Sequence, residues 1–240
     1  MGISAFPGDG SRPLRMVVEK NNLWGVGQVL RVRFLGGNQH VHEEVKKCAK
    51  EWEKNANIAF KFVSDEPSDI RISFSQSDGW HSVVGKTALE VPANKPTMNL
   101  AFKSEDNLTL QMPSVLHEFG HALGCIHEHC SPAAPISWNE EEVYSYYKNT
   151  DGWEKQTVDE NVLQRSNCES IEFSEWDPKS IMMYPIPESL TKDGFSAPKN
   201  WELSQTDKKF IANAYPKSTE GANRPYKTTL SKILSRLKLF

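Results

Sequence analysis

The segment His117-Glu118-Phe119-Gly120-His121-Ala122-Leu123-Gly124-Cys125-Ile126-His127 decides how the rest of the chain is read. Histidines four apart on a helix lie one turn apart on the same face. The imidazoles of His117 and His121 can therefore reach a single cation, with Glu118 projecting beside them toward an open coordination position. A helix running on through Gly124 would carry His127 off that face. A left-handed turn at the glycine, which has no Cβ to clash, brings the chain back and lets His127 complete a three-imidazole set. Three protein ligands leave a fourth position for water, the arrangement of a catalytic rather than a structural zinc ion. A bare His-Glu-x-x-His recurs by chance, and the added glycine and third histidine make this match specific.

Outward from that segment, Pro113 falls in the first turn of the ligand helix, whose apolar residues are Val115, Leu116, Phe119, Ala122 and Leu123. Upstream, Leu30, Val32 and Phe34 alternate with Arg31 and Arg33 as in a half-buried strand, ended by Gly36 and Gly37. Val41, Val45, Cys48 and Trp52 then recur at helical spacing from a start near Asn38. Ile58, Phe60 and Phe62 form a second alternating run and Ile70, Ile72 and Phe74 a third, each with polar residues on its opposite face, followed by a short run at 97–102. Downstream of His127 no stretch reads as a strand. A helix is expected from Trp138, with Ser137 and Glu140 as a capping box, and another after Ser204. The order predicts an α+β fold: a mixed twisted sheet with helices in the N-terminal half, an irregular and helical C-terminal half, and an active-site cleft between them. The expected organisation is an N-terminal segment at 1–23, a catalytic domain at 24–216 with subdomains at about 24–127 and 128–216, and a basic amphipathic tail at 217–240.

The chain has 240 residues and a net charge of -3, which argues against a nucleic-acid partner, since such binding draws on phosphate neutralisation. No run approaches the roughly 20 apolar residues of a membrane span, so no transmembrane segment is expected. The opening MGISAFPGDG lacks the charged and apolar regions of a signal peptide, and Phe6 stands where a myristoylation site needs Ser or Thr. Cys48, Cys125, Cys130 and Cys168 are even in number in a chain that needs no disulfide to fold; Cys125 and Cys130 flank His127 and can pair or stay reduced. Localisation is left open. A nucleophile elbow is missing, which disfavours a serine hydrolase. His40 and His42 form a pair without an evident third ligand and are expected in solvent. His129 is expected behind the ligands or exposed, and His81, beside Trp80, is expected as an ordinary loop histidine, with a substrate contact as the alternative.

Ser180-Ile181-Met182-Met183-Tyr184 adds a second element. With it the sequence resembles the metzincins, and among them most the astacin-like zinc peptidases. Glu128 directly follows the third histidine as in that family, and the downstream segment is similar to its S-x-M-x-Y turn. A weaker likeness runs through Ile70-Arg71-Ile72-Ser73-Phe74 and Gly79-Trp80-His81-Ser82-Val83-Val84-Gly85, covering 24–216 in outline. The resemblance implies a zincin fold and a zinc-dependent endopeptidase acting on proteins or peptides. It implies one catalytic zinc on His117, His121 and His127, with Met182 as the floor beneath the metal and Tyr184 as a phenol that moves between metal and transition state. A phenolic donor there would stabilise a tetrahedral oxyanion; a core tyrosine would instead bond to backbone. Met183 is expected only to pack. Glu118 would take a proton from zinc-activated water and deliver it to the leaving amine.

The substrate is expected to lie extended along an exposed sheet edge at 97–102. Trp80 stands where astacins usually have a cysteine, and the four cysteines do not match their two disulfides. In mature astacins the residue matching Glu128 receives the new N-terminus; a local cap or pair is the alternative. Phe6-Pro7-Gly8-Asp9 matches the F-x-G-D by which astacin pro-segments set an aspartate on zinc, so Asp9 is either a latch or part of an ordinary turn. In the tail, Leu230, Ile233, Leu234 and Leu237 share a helical face that can meet a membrane surface, a partner or the chain's own domain. A non-enzymatic zinc-binding or partner-binding module is the rival reading, and the presence of both Glu118 and Tyr184 speaks against it.

Overall fold

Strand β1 (Val18–Glu19) precedes β2 (Val29–Phe34), where alternation buries Leu30 and Val32 completely and turns Arg31 and Arg33 outward. The computed structural model describes residues 18–19, 22–103, 107–164, 171–172 and 176–217; Asp9, Cys168 and the tail from 218 onward lie outside them. Helix α1 (Gln39–Glu53) starts where the Asn38 side chain accepts the Val41 N–H at 3.0 Å, and it buries Val41, Val45, Cys48, Ala49 and Trp52. Strand β3 (Ala59–Val63) pairs in parallel with β2, which requires a crossover, and α1 supplies it. Strand β4 (Ile70–Ser73) lies parallel on the other side of β2, and β5 (His81–Ser82) and β6 (Met98–Asn99) complete the order β3-β2-β4-β6-β5.

Two expectations about this sheet are corrected. The run at 97–102 is not the open edge, because β6 pairs with β4 on one side and antiparallel with β5 on the other. The chain after β4 swings out and returns, so β5 occupies the outer groups of β6 and becomes the edge itself; His81 thus lies in a strand rather than a loop. The polar face of β4 is covered. Arg71 is buried, its guanidinium donating to the carbonyls of Lys95, Ser68 and Val91, because the segment between β5 and β6 folds over that face. Charge on a strand marks a face, and the connection above it decides whether water reaches it.

Helix α2 (Leu108–Ala122) packs beside α1, with Trp52 Nε1 donating to the Leu116 carbonyl at 3.0 Å. It begins five residues before Pro113, so the proline sits in the helix interior rather than its first turn and cannot donate to the Thr109 carbonyl.

Beyond α2 come α3 (Glu140–Asp151), α4 (Lys155–Val158) with a π-helical turn at Asp159–Leu163, and α5 (Gln205–Ala214). The Ser137–Glu140 capping box does not form. Asn139 is the cap residue, without a side-chain bond, because 137–139 is drawn into backbone pairing with Leu190 and Lys192. The box at α5 does form, Ser204 with Asp207. The C-terminal half also contributes a strand, β7 (Ile171–Glu172), paired with β1; two residues are too few for alternation to register.

Among the described residues, the buried apolar side chains form two clusters. One lies between sheet and helices and includes Trp24, Leu30, Trp52, Ile72, Phe119 and Met182. The other, in the C-terminal half, includes Ile136, Val143, Trp153, Val162, Met183 and Leu190. Met182 and its neighbour Met183 belong to different clusters, so the turn that carries them stitches the halves together along the cleft. Among the described residues no helix is long and apolar enough to cross a membrane.

Candidate active site

The end of α2 sets the geometry. Gly124 has φ +94°, a region that favours glycine. The N–H of Cys125 bonds to the Gly120 carbonyl at 2.9 Å and that of Gly124 to His121 at 2.8 Å, the paired bonds of a Schellman stop. The helix's last carbonyls receive side-chain donors, Trp24 Nε1 on Ala122 and the Tyr215 hydroxyl on Leu123, both at 2.7 Å. The helix therefore ends abruptly, and the chain returns with His127.

Ring nitrogens of His117, His121 and His127 all lie within 4.8 Å of one another. His117 donates Nδ1–H to the Ile181 carbonyl and His121 donates Nδ1–H to the Cys125 carbonyl, both at 2.9 Å. A carbonyl can only accept, so each ring keeps its lone pair on Nε2. The Nε2 of His121 is 3.2 Å from that of His127, close to the separation of about 3.3 Å between nitrogens sharing one tetrahedral zinc ion.

Burial depresses all three imidazoles below the ordinary range, His117 to about 4 and the other two well below it, and their mutual proximity adds to the effect in His121 and His127. They are held neutral, as metal ligands must be. Glu118 is buried with Oε2 unpartnered, and desolvation raises its carboxyl well above the usual carboxylate range. Three converging imidazoles, in a cleft that the orphaned carboxyl oxygen also lines, are a donor set that fits a divalent cation.

Met182 lies against the ligand helix at Gly120, where a methyl group would run into its Sδ and come within 3.0 Å of Trp52 Cζ2. The Tyr184 ring stands 4.0 Å from that of His127 and 5.9 Å from that of His117, and burial raises its phenol well above 10. The cleft is lined by Trp80, Pro113, Glu118, Met183, Tyr184 and Lys199, among others. Met183 thus faces the cleft as well as packing.

His129 is not exposed; it is buried against His127 and Tyr184. Glu128 accepts the Asp177 N–H, 49 residues away in sequence, at 2.9 Å, and burial pushes its carboxyl up to about 8. His42 stacks on Phe34 at 3.9 Å, away from the cleft. Cys48, Cys125 and Cys130 are buried free thiols, so Cys125 and Cys130 are not paired with each other.

Sequence reasoning missed two residues here. Asp207 was visible only as the fourth position of a Ser-x-x-Asp cap, and Lys199 carried no signal at all.

A sequence model of the Astacin peptidase family matches residues 16–185. Among solved structures, one of myroilysin is 40% identical, covers 84% of this chain and 99% of that one, and superposes with a TM-score of 0.82. A second myroilysin crystal structure is 36% identical, with 90% and 100% covered and a TM-score of 0.64. High choriolytic enzyme 1, a hatching-enzyme zinc protease from Oryzias latipes (medaka fish), is 14% identical, with 82% and 95% covered and a TM-score of 0.57, a likeness of fold. No curated protein matches.

Proposed function

The chain belongs to the astacin family of zinc metallopeptidases, and from that premise we propose that Glu118 is the general base and acid of its reaction, with His117, His121 and His127 as metal ligands and Tyr184 as the oxyanion donor. The family makes it a zinc-dependent endopeptidase acting on proteins or peptides. When bound, zinc supplies Lewis acidity that polarises the scissile carbonyl and acidifies the attacking water.

The chain's own residues do the rest. Glu118 Oε2, which has no protein partner, takes the proton of the attacking water and returns it to the leaving amine, so no covalent acyl-enzyme is needed. Tyr184 donates its phenolic hydrogen to the oxygen that becomes negative as the carbonyl turns tetrahedral. Met182 packs beneath the ligand helix and keeps water from that side. Edge strand β5 offers the backbone along which an extended substrate can pair. The C-terminal tail remains a proposed contact for a membrane surface or partner, and Asp9 a proposed latch.

The observation carrying this reading is the convergence of three buried imidazoles to within 4.8 Å of one another in a cleft that Glu118, with an unpartnered carboxyl oxygen, also lines. The test is a mixed peptide library incubated with zinc-loaded protein, with chelator, and with Glu118→Gln. Cleavage should vanish with chelator and fall about 100-fold or more in Glu118→Gln, which keeps its zinc. Equal cleavage by the metal-loaded variant would remove Glu118 from the mechanism.

A further inference from the structure

Two residues past His127, a fourth imidazole carries the signature of the other ligands. His129 donates Nε2–H to the Asn161 carbonyl at 3.1 Å, so its lone pair is on Nδ1. That nitrogen is buried without a hydrogen-bond partner, in a residue only 2% exposed. Leaving such a group unsatisfied is costly to folding. One ring nitrogen fixed on a carbonyl and the other left bare is how proteins orient a metal-ligating histidine, and His117 and His121 are held in the same way. Beside His129 lies the thiol of Cys130, buried and free. A nitrogen of His127, a nitrogen of His129 and Sγ of Cys130 all lie within 4.8 Å of one another. Donors around one tetrahedral zinc ion stand about 3.3–3.8 Å apart, so closure on an ion requires shifts of about an ångström.

We propose that His129 and Cys130, sharing His127 with the catalytic set, form a second and weaker site for a thiophilic ion such as zinc or cadmium, and that filling it inhibits the enzyme. Thiolate and imidazole donors select such ions over magnesium or calcium. As the second ion binds, the Cys130 thiol releases its proton to solvent and the shared His127 ring releases its remaining N–H proton so that both ring nitrogens can ligate, which makes this site weaker than the three-imidazole set. Inhibition follows from the geometry. His127 is common to both sets, so an ion at the second site draws on the ring that also serves the catalytic ion, and the Tyr184 ring rests on both His127 and His129, at 4.0 and 4.6 Å, where an ion between them would arrest the phenol. The inhibitory half rests on the peptidase reading, and the binding half stands without it.

The test titrates zinc-loaded protein with cadmium chloride and follows three readouts: metal retained on dialysis, the ultraviolet thiolate-to-cadmium charge-transfer band, and peptide hydrolysis. The wild type should keep its zinc, take up one further equivalent, develop the band and lose hydrolysis. Cys130→Ser should lose the band and bind the second equivalent about tenfold more weakly or worse, since loss of a partner that merely orients a ligand already costs that much. His129→Gln should weaken it likewise. Melting temperatures establish that both variants are folded, and Cys130→Ala replaces Cys130→Ser if the latter is not. Cadmium displacing zinc one for one, or a second equivalent held by Cys130→Ser as tightly as by wild type, overturns the proposal. A protein that never cleaves peptide would refute the peptidase reading while the band and stoichiometry still decide the site.

Discussion

The carboxylate of Asp207 accepts the backbone N–H of Ile181 at 2.8 Å, and through that residue it reaches a proposed zinc ligand it does not touch. The carbonyl of the same Ile181 accepts Nδ1–H of His117. Asp207 also accepts the Ser180 hydroxyl at 2.6 Å and the Ser204 N–H at 2.9 Å. The cap of α5 is thus the anchor of the turn that orients His117, the first proposed ligand.

Asp207→Ala leaves three donors without their acceptor, each costing about 1–3 kcal/mol when buried and unsatisfied. Stability should fall measurably in urea, and zinc affinity should fall about 10- to 100-fold, as when an orienting partner of a ligand is lost. Chelator competition measures the second effect. A variant less stable but with wild-type zinc affinity would limit Asp207 to capping.

Gly120→Ala should destabilise the protein although alanine is the better helix former by about 1 kcal/mol. The new methyl meets Met182 and Trp52, and overpacking of this kind costs about 1–3 kcal/mol. In a double-mutant cycle, Met182→Ala should absorb part of the loss. Strict additivity of the two changes would show that the methyl is accommodated elsewhere.

Tyr184→Phe should retain zinc and lower kcat about 100-fold or more with little change in KM, because its hydrogen bond is made mainly in the transition state. Steady-state kinetics with one peptide separates the two constants. A rise in KM alone would assign the phenol to substrate binding.

Metal-free protein should weaken in acid. Burial depresses the imidazoles of His117 and His129 from 6.5 to about 4. The unfolded chain therefore takes up these protons near pH 6.5, whereas the native state refuses them until about pH 4. Within that window the unfolded state binds more protons, so stability is full above 6.5 and is lost as the pH falls toward 4. Each such histidine contributes a slope of about 1.4 kcal/mol per pH unit. Urea midpoints measured on both sides of 6.5 report it, and midpoints that hold steady or rise in acid would contradict the buried neutral rings.

What the sequence determined by itself was local. Spacing of four residues puts His117 and His121 on one helical face, a glycine at 124 ends that helix, and alternation or helical recurrence marks β2, α1, β3 and β4, because each depends on geometry within a few residues. The family likeness was legible for the same reason, since its two motifs are contiguous. Tertiary structure alone decided the rest. Which strand forms the sheet edge depends on how the chain folds back after β4, and the burial of Arg71 depends on the segment covering it. The bonds from His117 to Ile181, His129 to Asn161 and Ser180 to Asp207 span 64, 32 and 27 residues. No period in the sequence encodes contacts over such separations; they exist because two cores pack against each other across the turn that holds Met182 and Met183.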